Sequence, residues 1–146
     1  MIHARTAIRQ ALAAALAAGG TAAGARVFDS PSDVRTAFPA LVVEDAGELQ
    51  RAATLPGGAD RLIERSLRLA VTAELQQVSG YAAARDSLVA DVEAIACTAA
   101  IAGVKSIVPS GYAPDISNAG ERPIVVGRQF FEVTYITTQG NPAATL

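Results

Sequence analysis

The chain has 146 residues, a net charge of −2 and a hydrophobic fraction of 51%, much of it alanine. That length suits one domain, 1–146, with core enough to fold without a disulfide or a metal. Near-neutral charge with both signs scattered excludes the basic stripe of a nucleic-acid groove. The single cysteine, Cys97, excludes an intrachain disulfide framework and fits a reducing compartment.

The N-terminus has the outline of a signal peptide: early arginines, an apolar stretch, then small residues. The apolar run 11–18 is short and mostly alanine, and Ile8, Leu12, Ala15 and Leu16 fall on one helical stripe, with Arg5 and Arg9 on another face. The spacing predicts an amphipathic helix of the mature chain over 4–18. Gly19-Gly20 ends it, because glycine accepts the left-handed conformation at a helix C-terminus. No apolar run reaches the ~18 residues that cross a bilayer.

After a small-residue connector, 21–24, residues 25–29 read as a short strand and 30–33 as turn chemistry. Residues 38–44 form a compact strand with Pro39 at its start, where a missing N–H costs no ladder bond. The polar stretch 45–60 reads as a loop or mobile hairpin. Leu67, Leu69, Val71, Ala73 and Leu75 then alternate with Ser66, Arg68, Ala70, Thr72 and Glu74, the period of a half-buried strand with one wet face.

Ser79 is placed to cap a helix over 81–100, whose buried stripe reads Tyr81, Ala84, Leu88, Val92, Ile95 and Ala99. Gly103 closes it. Residues 104–116 read as a weaker strand broken by Pro109 and Pro114, and 117–120 as a turn. The strongest strand signal lies in 121–140, where Phe131, Val133 and Tyr135 share one face and Phe130, Glu132 and Thr134 the other. Ile124 and Val126 are out of phase with Phe131, so Gly127 reads as a bulge. The tail 141–146 reads as frayed. The expected fold is α+β, in the order α-β-β-β-α-β-β. Two helices pack on one face of a mainly antiparallel sheet of about five strands, and the other face is open to water or a partner.

Catalytic chemistry finds little support in the residues. His3 and Cys97 cannot make a zinc site; His3 reads as an exposed surface residue and Cys97 as a buried, inert thiol. Gly19-Gly20 and Gly57-Gly58 lack the lysine of a phosphate-binding loop, and Gly-x-Ser-x-Gly is absent. Asp86, Asp91 and Glu93 read as solvated helix charges, and Glu44-Asp45 has no evident partner acid, base or metal ligand. Interaction surface remains, on loops 45–60 and 110–122 and on the wet sheet face. The charged residues on and beside these surfaces, Glu48, Arg51, Arg61, Arg68, Glu74, Asp115, Glu121 and Arg122, are the candidate contacts.

A longer succession of motifs bears on function. An Arg-x-x-Ile-Arg-x-x-Leu helix (5–12) is followed by Ala-Arg-Val-Phe-Asp (25–29), Phe-Pro-Ala-Leu-Val-Val (38–43) and the Leu67-Arg68-Leu69-Ala70-Val71 strand. Asp-x-Leu-x-x-Asp-Val-Glu-Ala (86–94), Gly-Glu-Arg-Pro (120–123) and Phe-Glu-Val-Thr-Tyr (131–135) complete it. In order and spacing this resembles the tail terminator proteins of long-tailed bacteriophages and prophages, the group of the lambda-type minor tail protein U.

The resemblance implies a virion protein assembled in the host cytoplasm. It forms a homo-hexameric ring at the head-proximal end of the tail tube. There it contacts the tail tube protein, stops tube polymerisation and presents a joining surface to the neck or head-completion protein. It implies no catalysis, no cofactor, no metal, no sequence-specific nucleic acid and no membrane. A ring needs two different patches per subunit, and loops 45–60 and 110–122 are expected to order only on docking. The alternatives are another head–tail connector component, a small-molecule-binding α+β dimer of bacterial origin with a deep polar pocket, and a secreted protein with a cleaved leader.

Overall fold

The computed structural model describes residues 1–30, 35–54, 61–76, 79–117 and 123–146. Two helices, α1 (Ala4–Ala18) and α2 (Tyr81–Thr98), accompany six strands: β1 (Val27–Phe28), β2 (Ala40–Ala52), β3 (Leu62–Gln76), β4 (Val104–Ser117), β5 (Ile124–Thr138) and β6 (Asn141–Thr145). The sheet runs β1-β2-β3-β5-β4, with β6 also on β5. Among the described residues only the short β1–β2 pairing is parallel. The expected α+β architecture is present, with one strand more than anticipated.

The two strands with the clearest period-two patterns lie at the centre. β3 and β5 pair without a register break from Leu62↔Thr138 to Gln76↔Ile124. Alternate residues of each turn inward, Leu67, Leu69, Val71, Ala73 and Leu75 against Val125, Phe131, Val133 and Tyr135. Both helices cover this face. α1 contributes Ala4, Ile8, Leu12 and Leu16, and α2 contributes Leu88, Val89, Val92 and Ala96. Burying each of these leucines is worth about 1.5–3 kcal/mol, so the α1 stripe fixes the helix to the sheet. Ala15, expected on that stripe, is only half-buried, and Ala4 extends it instead. At the C-terminus of α1 a Cβ on Gly19 would stand 2.3 Å from Ile95 Cδ1, so Gly19 lets α1 abut α2 closely.

Several expectations are corrected. Of the two readings of 45–60, loop or mobile hairpin, the hairpin is the nearer: Asp45–Ala52 is strand, paired antiparallel with Ile63–Leu69 of β3 through a bulge between Asp45 and Glu48. Residues 110–117 likewise continue β4 on β5; 55–60 and 118–122 lie outside the described residues. The tail is no frayed end. β4 begins its pairing at Tyr135, which leaves the last turn-ward residues of β5 with an open edge, and β6 pairs there with Thr137 and Thr138. Gly80, not Ser79, holds the N-cap of α2, with φ 66. The helix turns Val89 and Ala96 inward in place of Tyr81 and Ala99.

Gly127 makes no bulge. It pairs in register with Ala73 and Pro114, and Ile124 and Val126 simply belong to the second face. The residue is small because α2 lies over it. A Cβ there would meet Arg85 Cγ at 2.9 Å and Val89 Cγ2 at 3.1 Å.

Candidate functional site

The sheet face away from the helices carries charge in cross-strand pairs. Arg51 and Glu64, opposite one another in β2 and β3, bond at 2.6 Å. Arg128 of β5 reaches Glu44 at 3.6 Å and donates to Thr72 Oγ1 at 3.3 Å. Ser66 donates to Glu132 at 2.6 Å, and Arg35 pairs with Glu74 at 2.5 Å. Exposed pairs such as Arg51–Glu64 add about 0–1 kcal/mol each; their effect is to cancel charge locally.

Arg68 is different. Among the described residues it has no carboxylate partner. Its guanidinium lies 4.1 Å from the centroid of the Phe130 ring. Its Nη2 extends to 3.8 Å from where a Gly111 Cβ would stand, so the glycine of β4 leaves it room. The bulges at 45/48 in β2 and 109/111 in β4 fall at the same height, flanking Leu69↔Phe131. Between them runs an open groove of about 420 Å³, lined by Ala46, Gly47, Leu49, Arg68, Ser110 and Glu132 among others.

β4, and the part of β2 beyond its short pairing with β1, expose apolar side chains. β4 shows Val108 (53% exposed), Tyr112 (42%) and Ile116 (43%), and β2 shows Leu49 (79%). Pro109 and Pro114 of β4 stand opposite Phe131 and Gly127, four residues apart on β5 and hence in the same hydrogen-bonding phase. Proline survives in a sheet where its missing N–H would face away from the ladder. The free edge of β4 therefore lacks two donors, which disfavours addition of another strand.

On the helix side, at the end of the sheet, sits a polar cluster inside the fold. Glu48, whose side chain is 3% exposed, is 3.0 Å from Arg65 Nη1 and 3.5 Å from Arg5 Nη1. It also accepts from Gln50 at 2.8 Å and from the Tyr135 hydroxyl. Arg65 donates its Nε–H to Thr137 Oγ1 at 2.8 Å. Burial pushes the Glu48 carboxyl up, but the bonds from Tyr135, Gln50 and Arg65 and the charge of Arg5 bring it below its ordinary value. Burial, then the bond to Glu48, pushes the Tyr135 phenol strongly up.

His3 caps α1 beside this cluster, its Nδ1 accepting from Arg5 N at 3.1 Å. It is half-buried rather than exposed. Burial and the neighbouring Arg5 lower its pKa, which keeps Nδ1 available as an acceptor. The group ties α1 to the sheet.

The candidate contact residues are thus scattered. Arg51, Arg68 and Asp115 are exposed, and Asp115 Oδ1 accepts from its neighbour Ile116 N at 2.8 Å. Arg61 and Glu74 are half-buried. Glu48 points into the fold, and Glu121 and Arg122 lie outside the described residues. Cys97 is exposed, not buried, because α2 turns Ala96 inward at that level. The apolar residues Leu49, Val108, Tyr112 and Ile116 were not anticipated; a proline-broken strand that still carries large apolar residues is the one sequence signal for such an edge. Among the described residues no group of three His, Cys, Asp or Glu could hold a metal ion, and no helix is long and apolar enough to cross a membrane.

The fold defines a small two-layer α+β protein, one sheet backed by two helices. No protein-family model matches the chain, and no curated protein matches it in sequence.

Proposed function

We propose that this chain is a structural virion protein of the tail-terminator type. It assembles as a ring on the head-proximal end of a long phage tail tube, stops tube polymerisation and offers the neck a joining surface. The observation that carries this reading is the pair of unlike free edges. β2 presents Leu49, and at the far side of the sheet β4 presents Val108, Tyr112 and Ile116. Subunits in a closed ring meet head to tail through two different patches, and two dissimilar edges, one with a single exposed leucine and one with three large apolar residues, fit that requirement. Its partners are further copies of itself, the tail tube protein and a neck protein.

Light scattering after size exclusion, over a concentration series, with negative-stain imaging of the largest species, tests the reading. A ring with a central hole is the expected result. A second test adds the protein to polymerising tail tube protein, where tubes capped at one end are expected. A compact dimer at every concentration, with tubes of unchanged length, overturns the proposal.

A further inference from the structure

We infer that Arg68 is one half of the subunit interface and receives the Asp115 carboxylate of a second copy. This rests on the ring reading and names the contact. The arginines around it on the same face, Arg35, Arg51 and Arg128, each have a glutamate of their own chain. Arg68 has the Phe130 ring beneath it, in a groove open to entry, and among the described residues no ion pair, although Glu132 stands opposite it on β5. A guanidinium held flat by an aromatic ring keeps its N–H edge free for a carboxylate.

Asp115 supplies the complement. It is exposed on β4, bonded only to its own strand, with the exposed Tyr112 and Ile116 nearby. Gly111 stands beside Arg68, and Asp115 lies four residues further along β4. That is about 13 Å at ~3.3 Å per residue, so the pair does not close within one chain. In a ring each copy gives its Asp115 to one neighbour and receives the other neighbour's at Arg68, which is the heterologous arrangement the ring reading requires. Leu49 gives the incoming edge an apolar wall beside Arg68, and the paired prolines of β4 keep the contact one of side chains.

Sedimentation velocity over a concentration series, on the full chain, tests this. Arg68→Glu and Asp115→Arg are each expected to raise the concentration at half-assembly about tenfold or more. The double reversal is expected to return most of that loss. Circular dichroism checks that the variants fold; if either reversal unfolds the chain, Arg68→Gln and Asp115→Asn replace it. Wild-type assembly that neither variant weakens overturns this interface and leaves the ring reading standing. Weakening by both variants without rescue by the double overturns the Arg68–Asp115 pairing. A wild-type monomer at every concentration overturns this interface, and one that also leaves tail tubes uncapped overturns the ring reading.

Discussion

Glu48 of β2 accepts a hydrogen bond from the Tyr135 hydroxyl of β5, although 87 residues separate the two and β3 lies between their strands. The carboxylate also holds Arg65 and faces Arg5 of α1, so one side chain joins three strands and a helix. Its pKa is lowered in the fold from an ordinary value of 4.5. The native state therefore binds the proton less readily than the unfolded chain does. This contribution to stability is complete above the unfolded value and is lost as the pH falls through the lowered native one.

Melting curves for the wild type and Glu48→Gln should accordingly diverge most at neutral pH and converge on acidification. At neutral pH the variant should lose about 3 kcal/mol, because Arg65 is left as a buried charge without its counter-ion. Parallel curves across the acid range would show that Glu48 is not the group responsible. Tyr135→Phe, which removes one bond and keeps the ring, should cost about 1–3 kcal/mol.

Gly127 provides a test of how α2 sits on the sheet. Gly127→Val places atoms against Arg85 Cγ and Val89 Cγ2, where even a lone Cβ stands at 2.9 and 3.1 Å. Arg85 can swing away, but Val89 is fixed in the helix–sheet interface. Overpacking of this kind costs about 1–3 kcal/mol, read as a lower urea midpoint with an unchanged slope. A wild-type midpoint would mean that α2 lies further from β5.

The central strands were legible because their chemistry repeats at the period of the structure. Leu67 to Leu75 and Phe131 to Tyr135 alternate, and a one-residue slip would expose them all. Gly127 was misread for the same reason: Ile124 and Val126 are apolar on the second face, and a change of face looks like a change of phase. The outer half of β2 reads as a loop because Glu44 to Arg51 has no apolar alternation to show; the side chain it buries is the charged Glu48. Only its partner β3 makes it a strand. β6 has no local signal; an open edge of β5 recruits it. The site was less legible still. Arg68 was visible as a wet-face charge, but its lack of a carboxylate depends on which glutamates the other strands bring to Arg51 and Arg128. Glu48 resembled any loop acid until the fold placed Tyr135 above it.

Cys97 should react with a chromogenic disulfide reagent in the native protein, one thiol per chain, without denaturant, since it is exposed. Partial burial, and then the charge of Glu93, raises its pKa. A smaller thiolate fraction makes the reaction slower than that of an unstructured peptide thiol at the same pH. Glu93→Gln should speed it modestly. A thiol that reacts only after unfolding would contradict the orientation of α2.

Leu12 and Leu49 separate folding from assembly. Leu12 is fully buried between α1 and the sheet, whereas Leu49 is 79% exposed on the β2 edge. Leu12→Ala should lower stability by about 2–5 kcal/mol through lost transfer energy and a residual cavity. Leu49→Ala removes almost nothing from the monomer's core and should change stability by about 0.5 kcal/mol or less. If the β2 edge packs against a neighbouring subunit, the same variant should shift half-assembly to higher concentration in sedimentation, with its melting temperature as monomer unchanged. Loss of monomer stability on Leu49→Ala would place that side chain within its own fold. Unchanged assembly would remove the β2 edge from the subunit contact and leave the ring to be closed by β4 and the groove alone.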